Sequence, residues 1–215
     1  MANNSIYKNG APHVGECWQL VKLGDVCELN PRRPVINRSD DAETTFLPMS
    51  AIGEKGAGIM HPEVRHFAKV RRGYTYFAEG DVLFAKITPC MQNGKHAIAR
   101  NLLGGIGFGS TEFHVLRPSG AILSEWILNF LLQPKVLAEA MRHFTGAVGQ
   151  QRVPDDFLFD LEIPLPPKDE QRCIVARLRE QMAEVERARA AVEAQLAEIE
   201  GLPAALLREA FCRKN

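Results

Sequence analysis

The sequence has no excess of charge of either sign, no paired cysteines and no long apolar run, and each shortage removes a class of protein. Its 26 lysines and arginines balance 26 aspartates and glutamates. Bulk charge therefore cannot drive a polybasic, histone-like mode of binding, although a local patch can still meet nucleic acid. The five cysteines (Cys17, Cys27, Cys90, Cys173 and Cys212) are odd in number and irregularly spaced, with no Cys-x-x-Cys pair. A disulfide framework or a zinc site needs tighter, paired spacing. The longest apolar stretch runs from Trp126-Ile127-Leu128 to Leu131-Leu132, far short of the roughly 20 residues that span a bilayer. The polar segment from Met1 to Gly15 has no apolar signal-peptide core, so the expected location is the cytoplasm. With 46% hydrophobic residues the chain can bury a proper core, and 17 glycines and 13 prolines are too few for a low-complexity or collagen-like chain.

Catalytic signatures are missing as well. Asn30-Pro31-Arg32-Arg33 begins like the Asn-Pro-Pro-aromatic motif with which amino-methyltransferases hold a flipped base, but it lacks the second proline and the stacking ring. The glycines at 104, 105, 107 and 109 do not have dinucleotide-binding spacing, and Gly94-Lys95 has neither the upstream glycine nor the following Ser or Thr of a phosphate-binding loop. No lysine follows an acidic residue by two positions, as a restriction-type nuclease core would require. His13, His61, His66, His96, His114 and His143 are scattered without the i, i+4 spacing of a helical metal site. Only His61 and His66, flanking Glu63, could share an ion.

What is present divides the chain in two. From Trp18 to Pro167 the sequence is punctuated by Gly and Pro and carries short apolar alternations, whereas 168–200 contain neither residue. Ile163-Pro164-Leu165-Pro166-Pro167 is a stiff boundary after which a helix can start, and Asp169 and Glu170 then complement the helix dipole. Leu178, Val185, Val192, Ile199 and Leu206 recur every seven residues, and Val175, Met182 and Leu196 complete an a/d pattern. Arg189, at an a position, is the one charged intruder. Such a rod, about 50 Å long at 1.5 Å per residue, needs a partner helix to bury its stripe. Gly201 and Pro203 are expected to break it before a short final helix. The expected organisation is an N-terminal arm (1–17), a domain over 18–166, a long helix over 167–202 and a short helix over 203–215.

The first region reads as α+β: a strand-rich, mixed α/β domain followed by a long coiled-coil helix. Val82–Ile87 and Phe113–Leu116 have strand character, and Ser124–Leu132 and Pro134–Phe144 helical character. Gly104 through Gly109 reads as a flexible or tightly turned loop, and Gly146-Ala147-Val148-Gly149 as either a contact loop or a turn feeding the last strand. Trp18, Leu23, Phe84 and Phe113 read as core. Polar and basic groups interleave with glycine or proline in three loops: 31–34, 86–95 and 146–152. Between residues 54 and 117 nine basic residues face five acidic ones. Gln and Asn can pair bidentately with adenine and Arg or Lys with guanine, while Lys and Thr also hold phosphates.

Four stretches carry a family resemblance: Trp18 through Cys27; Gly80-Asp81-Val82-Leu83-Phe84-Ala85-Lys86-Ile87; Ser110-Thr111-Glu112-Phe113 with Val115-Leu116-Arg117-Pro118; and the 163–167 proline hinge with Glu170-Gln171 and Ile174. They resemble one half of a specificity subunit of type I restriction-modification enzymes, whose full-length members resemble two tandem copies of such a unit. The resemblance implies a non-catalytic subunit whose recognition domain reads one half of a split DNA target. Its long helix would serve as spacer and docking element for modification (methyltransferase) subunits. No cofactor is then expected in this chain; S-adenosylmethionine and ATP with Mg would belong to partner subunits, a restriction subunit among them. The competing readings are a small DNA-modifying enzyme and a coiled-coil adaptor that binds only protein.

Chemistry alone selects Arg32, Arg33, Lys86, Thr88, Asn93, Lys95, Gln150, Gln151 and Arg152 as DNA-contacting candidates. The periodicity selects Val175, Leu178, Met182, Val185, Arg189, Val192, Leu196 and Ile199 as the partner face of the helix. One recognition unit with one exposed stripe implies an antiparallel homodimer reading an interrupted palindrome. Arg189 would then reach the coil's edge, or Glu186 or Glu193 of the facing helix.

Overall fold

A computed structural model describes residues 18–147 and 149–212; the expected N-terminal arm, Cys17 and Val148 lie outside them. Two compact units are present, the first ending at Gln171 and the second beginning at Arg172.

The first unit is a mixed α/β domain. One antiparallel sheet has the order β2 (Cys27–Leu29), β9 (Phe113–Pro118), β6 (Val82–Ala85), β7 (His96–Ile98). A second has the order β4 (Glu63–His66), β3 (Glu43–Leu47), β8 (Ile106–Gly109), β5 (Thr75–Ala78), with β3 and β8 parallel. Leu47 and Phe77 from the second sheet and Leu83, Ala85, Ala97, Phe113 and Val115 from the first meet in one buried cluster, so the sheets share a core. On the other side of the first sheet, α3 (Ser124–Leu131) packs on β6 and β7 and against α4 (Pro134–Arg142). That cover explains why β6, an unbroken apolar run, is buried at all four positions. A smaller cluster of Phe46, Phe67, Val70 and Phe108 brings α2 (Phe67–Val70) onto the second sheet. The strands and helices expected around residues 82, 113, 124 and 134 are present, and Leu23, Phe84 and Phe113 are core residues.

The glycine run is not the expected loop. Only Gly104 and Gly105 turn, with φ of 66° and 73°; Ile106–Gly109 is strand β8. A Cβ on Gly107 would lie 2.3 Å from the Phe77 ring and one on Gly109 2.4 Å from the Leu47 carbonyl oxygen. These glycines let two neighbours close onto the strand, which a local reading cannot reveal.

A third, two-stranded sheet pairs β1 (Gln19–Lys22) antiparallel with β10 (Glu162–Leu165), joining the two ends of the domain. Trp18 stands edge-on to Trp126, with centroids 5.8 Å apart, and its Nε1 donates to Glu170. Gln171 is fully buried: its Oε1 accepts from the Leu123 amide, and its Nε2 donates to the carbonyls of Ala121 and Pro166. The first turn of α6 (Lys168–Cys212) is thereby fixed to the domain.

The second unit is the remainder of α6. The expected break at Gly201 and Pro203, and hence the separate short helix after it, is not found: the helix is continuous from Lys168 to Cys212 with Pro203 inside it. A proline in a helix interior loses one backbone hydrogen bond and costs about 3 kcal/mol. Here strong helix formers on both sides (Leu196, Ala197 and Glu198; Ala204, Ala205 and Leu206) outweigh that single cost. Val175 is buried, Leu178 partly so, and from Met182 to Ile199 the stripe residues are 53–64% exposed. Arg189 bonds Glu193 of its own helix at 2.8 Å, rather than waiting for a facing one.

Two side chains inside the first unit set its stability. Asp81, 1% exposed, takes a two-pronged bond from Arg117 (Nε–Oδ1 2.9 Å, Nη2–Oδ2 2.7 Å) and a third from the Ala78 amide. Arg117→Met strands this carboxylate. Because Arg117 is itself about one-third exposed, the expected loss is at the low end of the roughly 3–5 kcal/mol for a broken buried pair, measured by urea unfolding. His96 is fully buried, stacked on Phe84 at 4.2 Å between centroids, with Nδ1 accepting from the Ala85 amide. Burial pushes its pKa from 6.5 down to about 3. The unfolded chain therefore binds the proton first: the contribution is complete above pH 6.5 and is lost as pH falls from 6.5 toward 3, by up to about 1.4 kcal/mol per pH unit. Burial lowers the His114 pKa too, in the same direction. Unfolding at pH 7.5 and pH 5 should show the loss, and His96→Gln, which cannot titrate, should flatten the slope.

Candidate nucleic-acid interface

Two of the three loops singled out by chemistry are brought together at the end of β6, and backbone hydrogen bonds do it. Where β6 leaves the sheet, the Lys86 amide donates to the Glu112 carbonyl at 2.9 Å, and the Lys86 carbonyl accepts from the Val153 amide at 2.9 Å. Ile87 then bridges Arg152, and the Thr88 amide donates to the Gln151 carbonyl at 3.0 Å. On its other side Arg152 pairs reciprocally with Thr145 (3.0 and 2.9 Å), closing residues 146–151 as the tip of a hairpin. Of the two readings of this glycine-bearing segment the backbone supports the turn, with φ of 104° at Gly146 and 85° at Gly149. The three short segments extend the first sheet, so the hairpin is carried by the core and not by a free connection.

Side chains lock this corner. The Arg152 guanidinium takes the Glu112 carboxylate in a fork, Nε–Oε2 and Nη2–Oε1 both 2.8 Å, and its Nη1 donates to the Gln150 carbonyl at 2.9 Å. The Arg152 bond holds the Glu112 carboxyl below its ordinary pKa, and the Lys86 ammonium acts in the same sense. His114, in the next layer, has Nε2 at 2.9 Å from the Val153 carbonyl and Nδ1 at 3.1 Å from the Asn30 amide nitrogen. Gln150 is exposed and Gln151 half-buried, and among the described residues their side-chain amides make no hydrogen bond.

The rest of the expected set is dispersed. Asn93 and Lys95 sit at the far end of the 86–95 loop. The Asn93 side chain donates to Glu54 at 2.9 Å and its carbonyl accepts from the Lys55 amide, so Lys55 joins this edge although the sequence did not single it out. Arg32 and Arg33 lie on the connection between β2 and β3, both exposed, with Arg33 donating to the Arg71 carbonyl. No hydrogen bond or ion pair among the described residues joins them to the loop pair. Glu112 was also missed as a site residue; its signal was the Ser110-Thr111-Glu112-Phe113 stretch. Among the described residues no group of three or more His, Cys, Asp or Glu side chains is placed to hold a metal ion. Cys27, Cys90 and Cys173 are free thiols, and burial pushes Cys27 up to about 12, far from a nucleophile's range. An open cleft of about 500 Å³ beside Arg65, Lys69 and Tyr74, and another of about 600 Å³ beside His143 and Phe157, share no lining residue with the loop pair. None of the described helices is long and apolar enough to cross a membrane.

Comparison with known proteins agrees with this architecture. Residues 15–194 match the family model of the type I restriction modification DNA specificity domain. Two curated relatives from Escherichia coli are similar: the type I restriction enzyme EcoEI specificity subunit, 39% identical over 74% of this chain, and the EcoAI specificity subunit, 40% identical over 77%. The matches span only 27% and 28% of those proteins. The HsdS subunit from Thermoanaerobacter tengcongensis shares the fold, with a TM-score of 0.69 at 24% identity over 93% of this chain and 51% of its own. A chain from a structure of a type I R-M system aligns with a TM-score of 0.61 at 22% identity over 91% of this chain and 46% of its own. On the extent of the family match and the identity to these relatives, the chain belongs to the type I restriction modification DNA specificity domain family.

Proposed function

We propose that this chain reads one half of a bipartite duplex DNA target through the joined loops 86–95 and 145–152, and that α6 pairs two copies and docks modification subunits. The observation that carries the DNA reading is the hairpin of residues 145–152 held by main-chain bonds against Lys86–Thr88. It places two glutamine amides, a threonine and a lysine on one rigid edge, the chemistry that meets base edges and phosphates together. No catalytic step is assigned to the chain; S-adenosylmethionine, and ATP with Mg, act in partner subunits.

The pairing of α6 with a second copy is supported by its exposed stripe and by its charge. Residues 172–189 carry five arginines against three glutamates, whereas 190–207 carry three glutamates and no basic residue. Antiparallel packing sets the basic half of one helix against the acidic half of the other; parallel packing sets like against like. The heptad register closest to that overlap centres on Ala190 and Ala191 and puts Val185 opposite Leu196, and Met182 opposite Ile199. A two-fold axis perpendicular to the helices can coincide with one of DNA. The target is then an interrupted palindrome.

Selection from a random-sequence duplex library, with the protein and its modification partner assembled, tests the DNA reading. A split motif should emerge, with two inverted half-sites. Ala at Gln150 and Gln151 should relax one element of each half-site, at roughly 1–3 kcal/mol per bidentate contact. Ala at Lys95 should weaken all sequences alike and lower the slope of log affinity against log salt by about 1 per phosphate contact. Failure to enrich any motif would overturn the reading, leaving a protein-only adaptor.

The helix is tested separately. In light scattering the wild-type chain should run at about twice its 23.9 kDa, and Val185→Asp with Val192→Asp should return it to the monomer mass. Each buried aliphatic side chain contributes roughly 1.5–3 kcal/mol. A wild-type monomer in the assembled complex, or a motif with unrelated halves, would rule the homodimer out.

A further inference from the structure

The sequence alone places Arg152 among the readers of DNA, because a guanidinium is the commonest partner of guanine. The geometry points elsewhere. We infer that Arg152 and Glu112 form a positioning pair that fixes the 145–152 hairpin against the 86–95 loop, leaving Gln150 and Gln151 as the groups that meet bases. This rests on the DNA reading above and adds a division of labour to it.

The donors of Arg152 are already committed. Of the five N–H groups of a guanidinium, the Nε and Nη2 edge is spent on the Glu112 carboxylate and one Nη1 hydrogen on the Gln150 carbonyl. Turning that edge toward a guanine would release a carboxylate facing the phosphates and strip a carbonyl of the hairpin of its donor. Both anchors are rigid. The Glu112 main chain is held by the Ser110 hydroxyl, which accepts from its amide at 3.2 Å, and by the Lys86 amide. The Arg152 main chain bonds Thr145 on one side, and on the other its neighbours Gln151 and Val153 bond Thr88 and Lys86. Between them runs Lys86, whose amide and carbonyl join the Glu112 segment to the Val153 segment. The ion pair therefore spans the β6 extension, side chain over backbone, and holds three chain segments in one register. It also cancels a carboxylate on this edge that would repel DNA. Gln150 and Gln151 follow the turn and precede the clamp, so their amides are delivered by a loop whose base cannot shift.

The pair can be separated from direct readout because both Glu112 oxygens are taken up by Arg152, so a change at Glu112 tests the clamp while leaving the guanidinium in place. The variants Glu112→Gln, Arg152→Lys and the swap Glu112→Arg with Arg152→Glu are carried through two measurements on the full chain. One is motif selection from the random duplex library with the modification partner present. The other is amide hydrogen exchange at Thr88, Arg152 and Val153 in the free protein. Expected are faster exchange at these amides in both single variants and loss of the same motif positions in both, by about tenfold in preference. The swap should restore both. Binding to a fixed duplex of unrelated sequence should tighten modestly in Glu112→Gln, since the change removes a negative charge and no phosphate contact. If Glu112→Gln keeps the wild-type motif and exchange while Arg152→Lys alters the motif alone, Arg152 is a reader and the inference is overturned. If the wild-type chain selects no motif, the DNA reading falls by itself. The clamp then stands or falls on the exchange data, where unchanged protection in Glu112→Gln overturns it.

Discussion

Asp81 holds the two four-stranded sheets in one body. Its carboxylate is almost wholly removed from water, and Arg117 and the Ala78 amide supply the hydrogen bonds that water would have made. Those partners belong to different sheets: Ala78 ends β5, and Arg117 lies on β9. The Asp81 carbonyl in turn accepts from the Ala99 amide just past β7. One desolvated charge thus ties the turn into β6 to strands on either side of the shared core. The corner at the other end of β6, where Lys86 leaves the sheet, is placed by the same strand. The 86–95 loop inherits its position from this arrangement, because a β6 shifted in register would carry Lys86, Ile87 and Thr88 away from the 145–152 hairpin.

Features with a local cause were legible in the sequence. The proline hinge at 163–167 and the heptad spacing beyond it depend on residues within a turn or two of each other, and the long helix begins where the last proline permits. The strands around 82 and 113 and the helices around 124 and 134 likewise follow from short-range apolar patterns. What escaped was set by topology. Gly107 and Gly109 read as loop because the reason for them, the Phe77 ring and the Leu47 carbonyl, arrives from other strands. Arg152 looks like a free base reader until Glu112, 40 residues earlier in the chain, is seen to occupy it. Asn93 looks equally free until it meets Glu54. Pro203 marks a real cost, but one position cannot decide a helix that its neighbours favour.

The molecule spends much of its charge on itself. Glu112 with Arg152, Asp81 with Arg117 and Glu54 with Asn93 are internal pairings that order loops and strand ends. A chain with no net charge can therefore still present a local edge that carries lysines and side-chain amides. An edge of this kind would meet few phosphates, and under the proposed function discrimination would come from hydrogen-bond geometry on the bases. That requirement makes rigidity at the root of the hairpin more useful than additional positive charge.

The pairing of β1 with β10 bears on how the chain acquires its shape during synthesis. Strand β1 is made before the rest of the domain, yet its partner emerges about 140 residues later, and at roughly 5–20 residues per second this is a wait of some tens of seconds or less. Closing so long a loop is entropically expensive unless the intervening chain is already compact. The two sheets must therefore largely assemble first, with β1 left at their margin as an unpaired edge. Only when β10 arrives are the two ends of the domain brought side by side, and Gln171 can then seat the first turn of α6. The helix that carries the pairing stripe is thus anchored last, after the domain it extends from has closed.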